Sequence, residues 1–113
     1  MTRIVDSMLR KCGFTHIEQV HDGATALQRL RDRTFLLVLS DREMPEMTGL
    51  DLVRAVRADA STRSVPFVIM SASSEAKDAE EAIAAGANTF LTKPFNLTTL
   101  RDVIVNLLRP ASA

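Results

Sequence analysis

The stretch from Phe35 to Gly49 constrains the fold most. Phe35-Leu36-Leu37-Val38-Leu39-Ser40 is a short apolar run that stops at Asp41, and the segment Arg42 to Gly49 behind it carries Pro45 and Gly49. A run this short, rich in branched side chains and closed by Pro and Gly, reads as a β-strand buried on both faces. Strands covered on both faces belong mainly to α/β proteins, where crossover helices lie over a parallel sheet. Ligands of such sheets bind at the carboxyl ends of the strands. Asp41 stands at that end, held by a strand yet open to solvent, which suits a nucleophile or a metal ligand. The competing reading is an Asp that merely opens a turn.

The rest of the chain alternates in the same rhythm. Ile4, Val5, Met8, Leu9 and Cys12 fall at helical spacing, and Gly13 is placed as a helix C-cap. Ile17 to Val20 is a short strand candidate. Asp22 is positioned to cap a second helix burying Ala24, Ala26, Leu27 and Leu30. A third helix follows Gly49 with Leu50, Val53 and Val56, and a polar connection runs from Ala58 to Val65. Pro66 to Ser71 reads as a second fully buried strand, with Pro admissible at its first residue. Ser73 or Ser74 is expected to cap a fourth helix from about Glu75 to Ala85, whose first turns gather Glu75, Asp78, Glu80 and Glu81. Gly86 ends it. Thr89 to Thr92 is the last strand, and Asn96 caps a final helix with Leu97, Leu100, Val103, Ile104, Leu107 and Leu108 on one face. Such alternation of helix and strand predicts a parallel sheet with right-handed crossovers.

Composition narrows the function. The 113 residues suit one domain, and 46% hydrophobic with 25% charged is the balance of a globular chain. A formal net charge of zero provides no field toward nucleic acid or an acidic membrane, and neither is expected as a partner. Trp and Tyr are absent, so stacking on single-stranded nucleic acid would rest on Phe alone. Cys12 is the only cysteine, which excludes an intrachain disulfide, and His16 and His21 are too scattered for a structural zinc site. With no membrane-spanning run and no signal-peptide pattern, a cytoplasmic location is expected.

Three predicted strands end in polar residues: Ser40-Asp41, Ser71 and Thr92-Lys93. A parallel sheet brings those ends to one edge, so Asp41, Ser71 and Lys93 are expected to converge. A carboxylate can attack phosphorus, and a Lys and a hydroxyl can hold phosphoryl oxygens. Taken singly, each of these residues reads as an ordinary solvated strand end.

At this point the chain resembles the receiver domains of bacterial two-component response regulators, over nearly its whole length. Ser40 to Leu50 is similar to their phosphoacceptor strand and Met-Pro-x-Met-x-Gly loop. Met70-Ser71-Ala72 resembles the strand with the switch hydroxyl, and Gly86 to Phe95 the Gly-Ala…Lys-Pro-Phe segment. Asp22-Gly23 and Ala26-Leu27 also fit. The resemblance implies a flavodoxin-like, doubly wound parallel sheet of order 2-1-3-4-5 with helices on both faces. It implies a signalling domain rather than an enzyme, in which Asp41 accepts a phosphoryl group from a histidine kinase or phosphotransfer protein and Mg²⁺ is bound. Lys93 would bridge to the phosphoryl group, Ser71 would move to hydrogen-bond it, and Phe90 would rotate inward behind Ser71. The fourth helix, last strand and last helix would then meet a downstream protein partner. Glu43 and Ser73 would modulate rates, Asp41 and the Glu43 backbone carbonyl would hold the metal, and the Lys93–Pro94 bond would be cis.

One departure stands out. Family members begin with a strand ending in an acidic pair that helps hold Mg²⁺, whereas this chain begins where the family's first helix begins. Residues 1–113 are therefore expected to be a receiver domain without its first strand, with weakened metal binding. Loss of a central strand predicts compensation. Either Ile17–Val20 closes up against Leu36–Leu39, or two chains pair or swap across the open edges to form a homodimer. Two other functions compete: a degenerate receiver that binds partners without phosphorylation, and an aspartyl-phosphate phosphatase of the haloacid dehalogenase type. The phosphatase mechanism wants a second Asp two residues after the nucleophile, and Glu43 occupies that place.

Overall fold

Four consecutive residues, Phe67 to Met70, have no exposed surface, and the molecule is built around them. The structure, a computed structural model, describes residues 3–20, 22–43, 47–73 and 75–108. In chain order the elements are α1 (Arg3–Lys11), α2 (Gly23–Asp32), β1 (Val38–Asp41), α3 (Gly49–Ala58), β2 (Phe67–Ser71), α4 (Ala76–Ala85), β3 (Thr89–Thr92) and α5 (Leu97–Leu108). The strands form one parallel sheet in the order β1-β2-β3.

The two-residue period of a strand sorts the core into two layers. Phe67 and Ile69 of β2 join Leu52, Val53 and Val56 of α3 and Ala82 of α4, with Ala26, Leu27 and Leu30 of α2 packed against them. Val68 and Met70 join Leu91 of β3 and Leu100 and Ile104 of α5, with Met8 and Leu9 of α1 alongside. Helices thus cover both faces, α2, α3 and α4 on one and α1 and α5 on the other. This is the doubly wound, flavodoxin-like arrangement expected. No helix among the described residues is long and apolar enough to cross a membrane.

Local chemistry explains the helix ends. Asp22 caps α2, accepting from the Thr25 amide at 2.7 Å, and Asn96 caps α5 through the Thr99 amide at 2.8 Å. Thr48 and Asp51 form a reciprocal capping box at the start of α3. Gly13 and Gly86 close α1 and α4 with φ of +103° and +122°, a region that side chains with a Cβ disfavour. The expected Ser cap on α4 is not formed by Ser73. The cap position is Glu75, without a side-chain hydrogen bond, and the Ser73 hydroxyl instead accepts from the Glu75 amide at 3.2 Å. Ser74 lies outside the described residues.

Two expectations about strands need correction. Ile17–Val20 forms no strand, and Phe35–Leu37 precedes β1 rather than extending it. β1 is also only partly buried, with Ser40 its one buried residue, and Leu36 beside it is 66% exposed. The cause is the edge. Val38 and Arg42 donate to the β2 side, to Pro66 O at 2.9 Å and Met70 O at 2.8 Å. Strand alternation therefore turns the backbone groups of Leu37 and Leu39 the other way, where no strand lies among the described residues. A cleft of about 690 Å³ runs along that edge, lined by Val5, Leu9, Ile17, Leu30, Leu37 and Leu39 among others. Ile17–Val20 stays across the cleft and gains no ladder bonds, so the sheet does not close up. Of the expected strand order, the last three strands are the ones present among the described residues.

Candidate functional site

The sheet register assembles the site. Asp41 lies beside Met70, and Ser71 beside Thr92. The Lys93 amide continues the β3 ladder, donating to Ser71 O at 2.7 Å. Three strand ends therefore share one edge, as the alternation of elements predicted. Lys93 Nζ reaches across the end of β2 and donates to Asp41 Oδ1. The Lys93–Pro94 bond is cis, as expected.

Asp41 is held from behind by backbone. The Gly49 amide donates to Arg42 O at 2.7 Å, folding the chain back at the foot of α3. A Cβ on Gly49 would sit 2.4 Å from Asp41 O, so only glycine permits this approach. Residues 44–46, which carry the Met-Pro-x part of the loop motif, lie outside the described residues.

Ser71 Oγ accepts from the Ser73 amide at 3.1 Å, while the Ser73 carbonyl accepts from Thr92 Oγ1 at 3.4 Å. Ser73 thus ties the loop after β2 to the ends of β2 and β3. Phe90 pairs with Ile69, lies on the same sheet face as Ser71, and packs half-buried against the Phe67 and Ile69 cluster. Glu43 is exposed.

The donor set for a metal is sparse. Among the described residues no group of three His, Cys, Asp or Glu side chains could hold an ion. Asp41 and the Glu43 carbonyl are what the loop offers. That set fits a magnesium ion that keeps most of its waters, and it does not fit a closed protein cage.

Arg42 is the participant that the motif analysis did not single out. Its guanidinium bridges Asp78 at 2.9 Å and Glu81 at 3.0 Å, tying the end of β1 to α4. The Ser73 hydroxyl, bonded to Asp78, lowers that carboxyl below its ordinary range, and the charge of Arg42 acts in the same direction. In sequence these acids read as helix-dipole residues. Their i, i+3 spacing was visible, but nothing in the sequence aims that face of α4 at Arg42.

Residues 1–105 match the family described as Response regulator receiver domain. Chemotaxis protein CheY of Pseudomonas aeruginosa is 39% identical over 104 residues, which cover 92% of this chain and 84% of that one. Among solved structures, the receiver domain of sensor histidine kinase PA1611 from Pseudomonas aeruginosa PAO1 matches with a TM-score of 0.85 at 27% identity, covering 95% of this chain and 87% of that one. That structure has a magnesium ion coordinated in its active site cleft. Chemotaxis protein CheY4 of Vibrio cholerae matches with a TM-score of 0.84 at 31% identity, covering 94% and 88%.

Proposed function

Because this chain belongs to the response regulator receiver family of two-component signalling, we propose that Asp41 is its phosphoryl acceptor and Ser71 with Phe90 its switch. The observation that carries this reading is the ion pair of Asp41 with Lys93, made across three strand ends. An Asp41 carboxylate oxygen forms a bond to phosphorus as the bond from phosphorus to a histidine nitrogen of the donor breaks, and the electron pair stays with the imidazole. Lys93 then follows the negative charge from the carboxylate to the phosphoryl oxygens. Ser71 exchanges the Ser73 amide for a phosphoryl oxygen. Phe90 follows inward on the same face and alters the surface of α4, β3 and α5 that a protein partner meets.

Magnesium, when bound, neutralises charge on the phosphoryl oxygens. Asp41 and the Glu43 carbonyl would hold it, with water completing its coordination. Glu43 and Ser73 flank the acceptor and the switch hydroxyl, where side-chain changes alter access of water and so the lifetime of the acyl phosphate. The chain works in the cytoplasm through protein contacts, with a histidine kinase or phosphotransfer protein upstream. The open edge of β1 is where a second copy would pair. The joined acceptor, lysine and hydroxyl weigh against a module that acts without phosphorylation.

Acetyl phosphate with Mg²⁺ tests the assignment. Mass spectrometry is expected to place a slowly acquired phosphoryl group on Asp41, and Asp41→Asn is expected to abolish it. A phosphoryl group found on another residue would overturn the assignment.

A further inference from the structure

The least exposed ion pair among the described residues is not at the acceptor but beside it. The Arg42 and Asp78 side chains are 21% and 15% exposed, against 60% and 55% for the Arg54–Asp51 pair on the surface of α3. Arg42 also departs from a fixed point. Its amide is bonded to Met70 of β2 and its carbonyl to Gly49 of α3, so the guanidinium springs from an anchored stretch of backbone. Asp78 and Glu81 lie one turn apart on the same face of α4.

The influence continues past α4. The Ser73 hydroxyl is the main group lowering the pKa of the Asp78 carboxyl, and the Ser73 amide donates to Ser71 Oγ at 3.1 Å. Arg42, Asp78, Ser73 and Ser71 thus lead from the residue after Asp41, by way of α4, to the hydroxyl at the end of the neighbouring strand. We propose that Arg42 is a positioning residue that clamps α4 and, through Asp78 and Ser73, holds Ser71 in its resting place until Asp41 is phosphorylated.

This inference rests on Asp41 being the acceptor. When an Asp41 oxygen bonds to phosphorus and the donor's leaving group departs with its electron pair, a group of about two negative charges replaces one carboxylate beside Arg42. Two consequences act together. The added charge draws the guanidinium away from the acids of α4, and Ser71, turning to the phosphoryl group, deprives the Ser73 amide of its acceptor. Both loosen the first turns of α4.

Hydrogen exchange of the α4 amides, read by mass spectrometry on the full chain, tests the clamp. Without any phosphoryl donor, Arg42→Gln is expected to speed exchange in Ala76–Ala85 about tenfold, the size of losing a hydrogen bond to a charged group. Asp78→Asn, which reaches the clamp from its other end, is expected to do the same, and the double variant to exchange no faster than either single one. With acetyl phosphate and Mg²⁺, the phosphorylated fraction of the unsubstituted protein is expected to approach the Arg42→Gln rate, whereas Arg42→Gln gains no further change. Unaltered α4 exchange in the single variants, or in a protein that intact mass shows to be phosphorylated, would overturn the clamp. Absence of any phosphoryl group would sink the acceptor assignment instead, and the donor-free variants would still decide whether the clamp exists.

Discussion

Asp59 shows how a single half-buried carboxylate can be tuned by its neighbours. Its Oδ1 accepts from the Ser61 amide at 2.9 Å and the Ser61 hydroxyl at 2.7 Å, and its Oδ2 from Arg31 Nε at 2.7 Å. The Ser61 bonds, and then Arg31, bring its pKa from 3.8 to about 2. A depressed folded-state pKa means that the stabilisation is complete above the unfolded value and is lost as pH falls through the folded one. The gap in melting temperature between the unsubstituted protein and Asp59→Asn is therefore expected to narrow between pH 3.8 and about 2. Ser71 makes a second prediction at this scale. Ser71→Ala is expected to leave phosphoryl uptake by Asp41 intact while abolishing any phosphorylation-dependent change in the environment of Phe90, read by fluorine NMR of a labelled ring.

At the scale of elements, one side chain straps three of them together. Arg57, near the end of α3, donates from Nε to Gly86 O at 2.9 Å, from Nη1 to Arg63 O and Val65 O at 2.8 and 2.7 Å, and from Nη2 to Asn88 Oδ1 at 2.9 Å. Asn88 Oδ1 in turn accepts from the Phe67 amide at the start of β2. Burial lowers the pKa of Arg57, but the guanidinium stays charged. Removing it leaves several carbonyls without donors in the seam between α3, β2 and β3. Arg57→Ala is expected to lower stability by about 2–4 kcal/mol, seen as a lower urea midpoint at an unchanged slope. Gly86 depends on the same strap, because a Cβ there would lie 2.7 Å from Arg57 Cγ at a φ of +122°.

The whole molecule is decided by one well-buried strand and one open one. Phe67 is the largest fully buried side chain among the described residues, and Phe67→Ala is expected to remove about 3–5 kcal/mol, a large share of the 5–15 kcal/mol typical of a domain. Calorimetry in the presence of a refolding check measures it. β1 and Leu37 just before it, by contrast, turn backbone to the cleft, where no strand lies among the described residues. Unpaired strand edges are templates for pairing. Sedimentation equilibrium is expected to show a dimer that grows with concentration, and Leu37→Lys on that edge to favour the monomer. A monomer across the micromolar range would exclude pairing through β1.

Much of this architecture was legible in the chain itself, because its signals are local. The caps at Asp22 and Asn96, the glycine stops at Gly13 and Gly86, and the apolar run at Phe67 to Met70 each depend on residues within a few positions of one another. Alternation of helix and strand then implied a parallel sheet, and a parallel sheet must bring Asp41, Ser71 and Lys93 to one edge. Tertiary structure decided the rest. Ile17–Val20 has the composition of a strand but no neighbour to complete a ladder, since strand formation is a property of a pair and not of a segment. Arg42 could not be joined to Asp78 and Glu81 from the sequence, because 36 and 39 positions separate them. Only the packing of α4 against α3 and β3, with Ala82 in the core, turns those acids toward it.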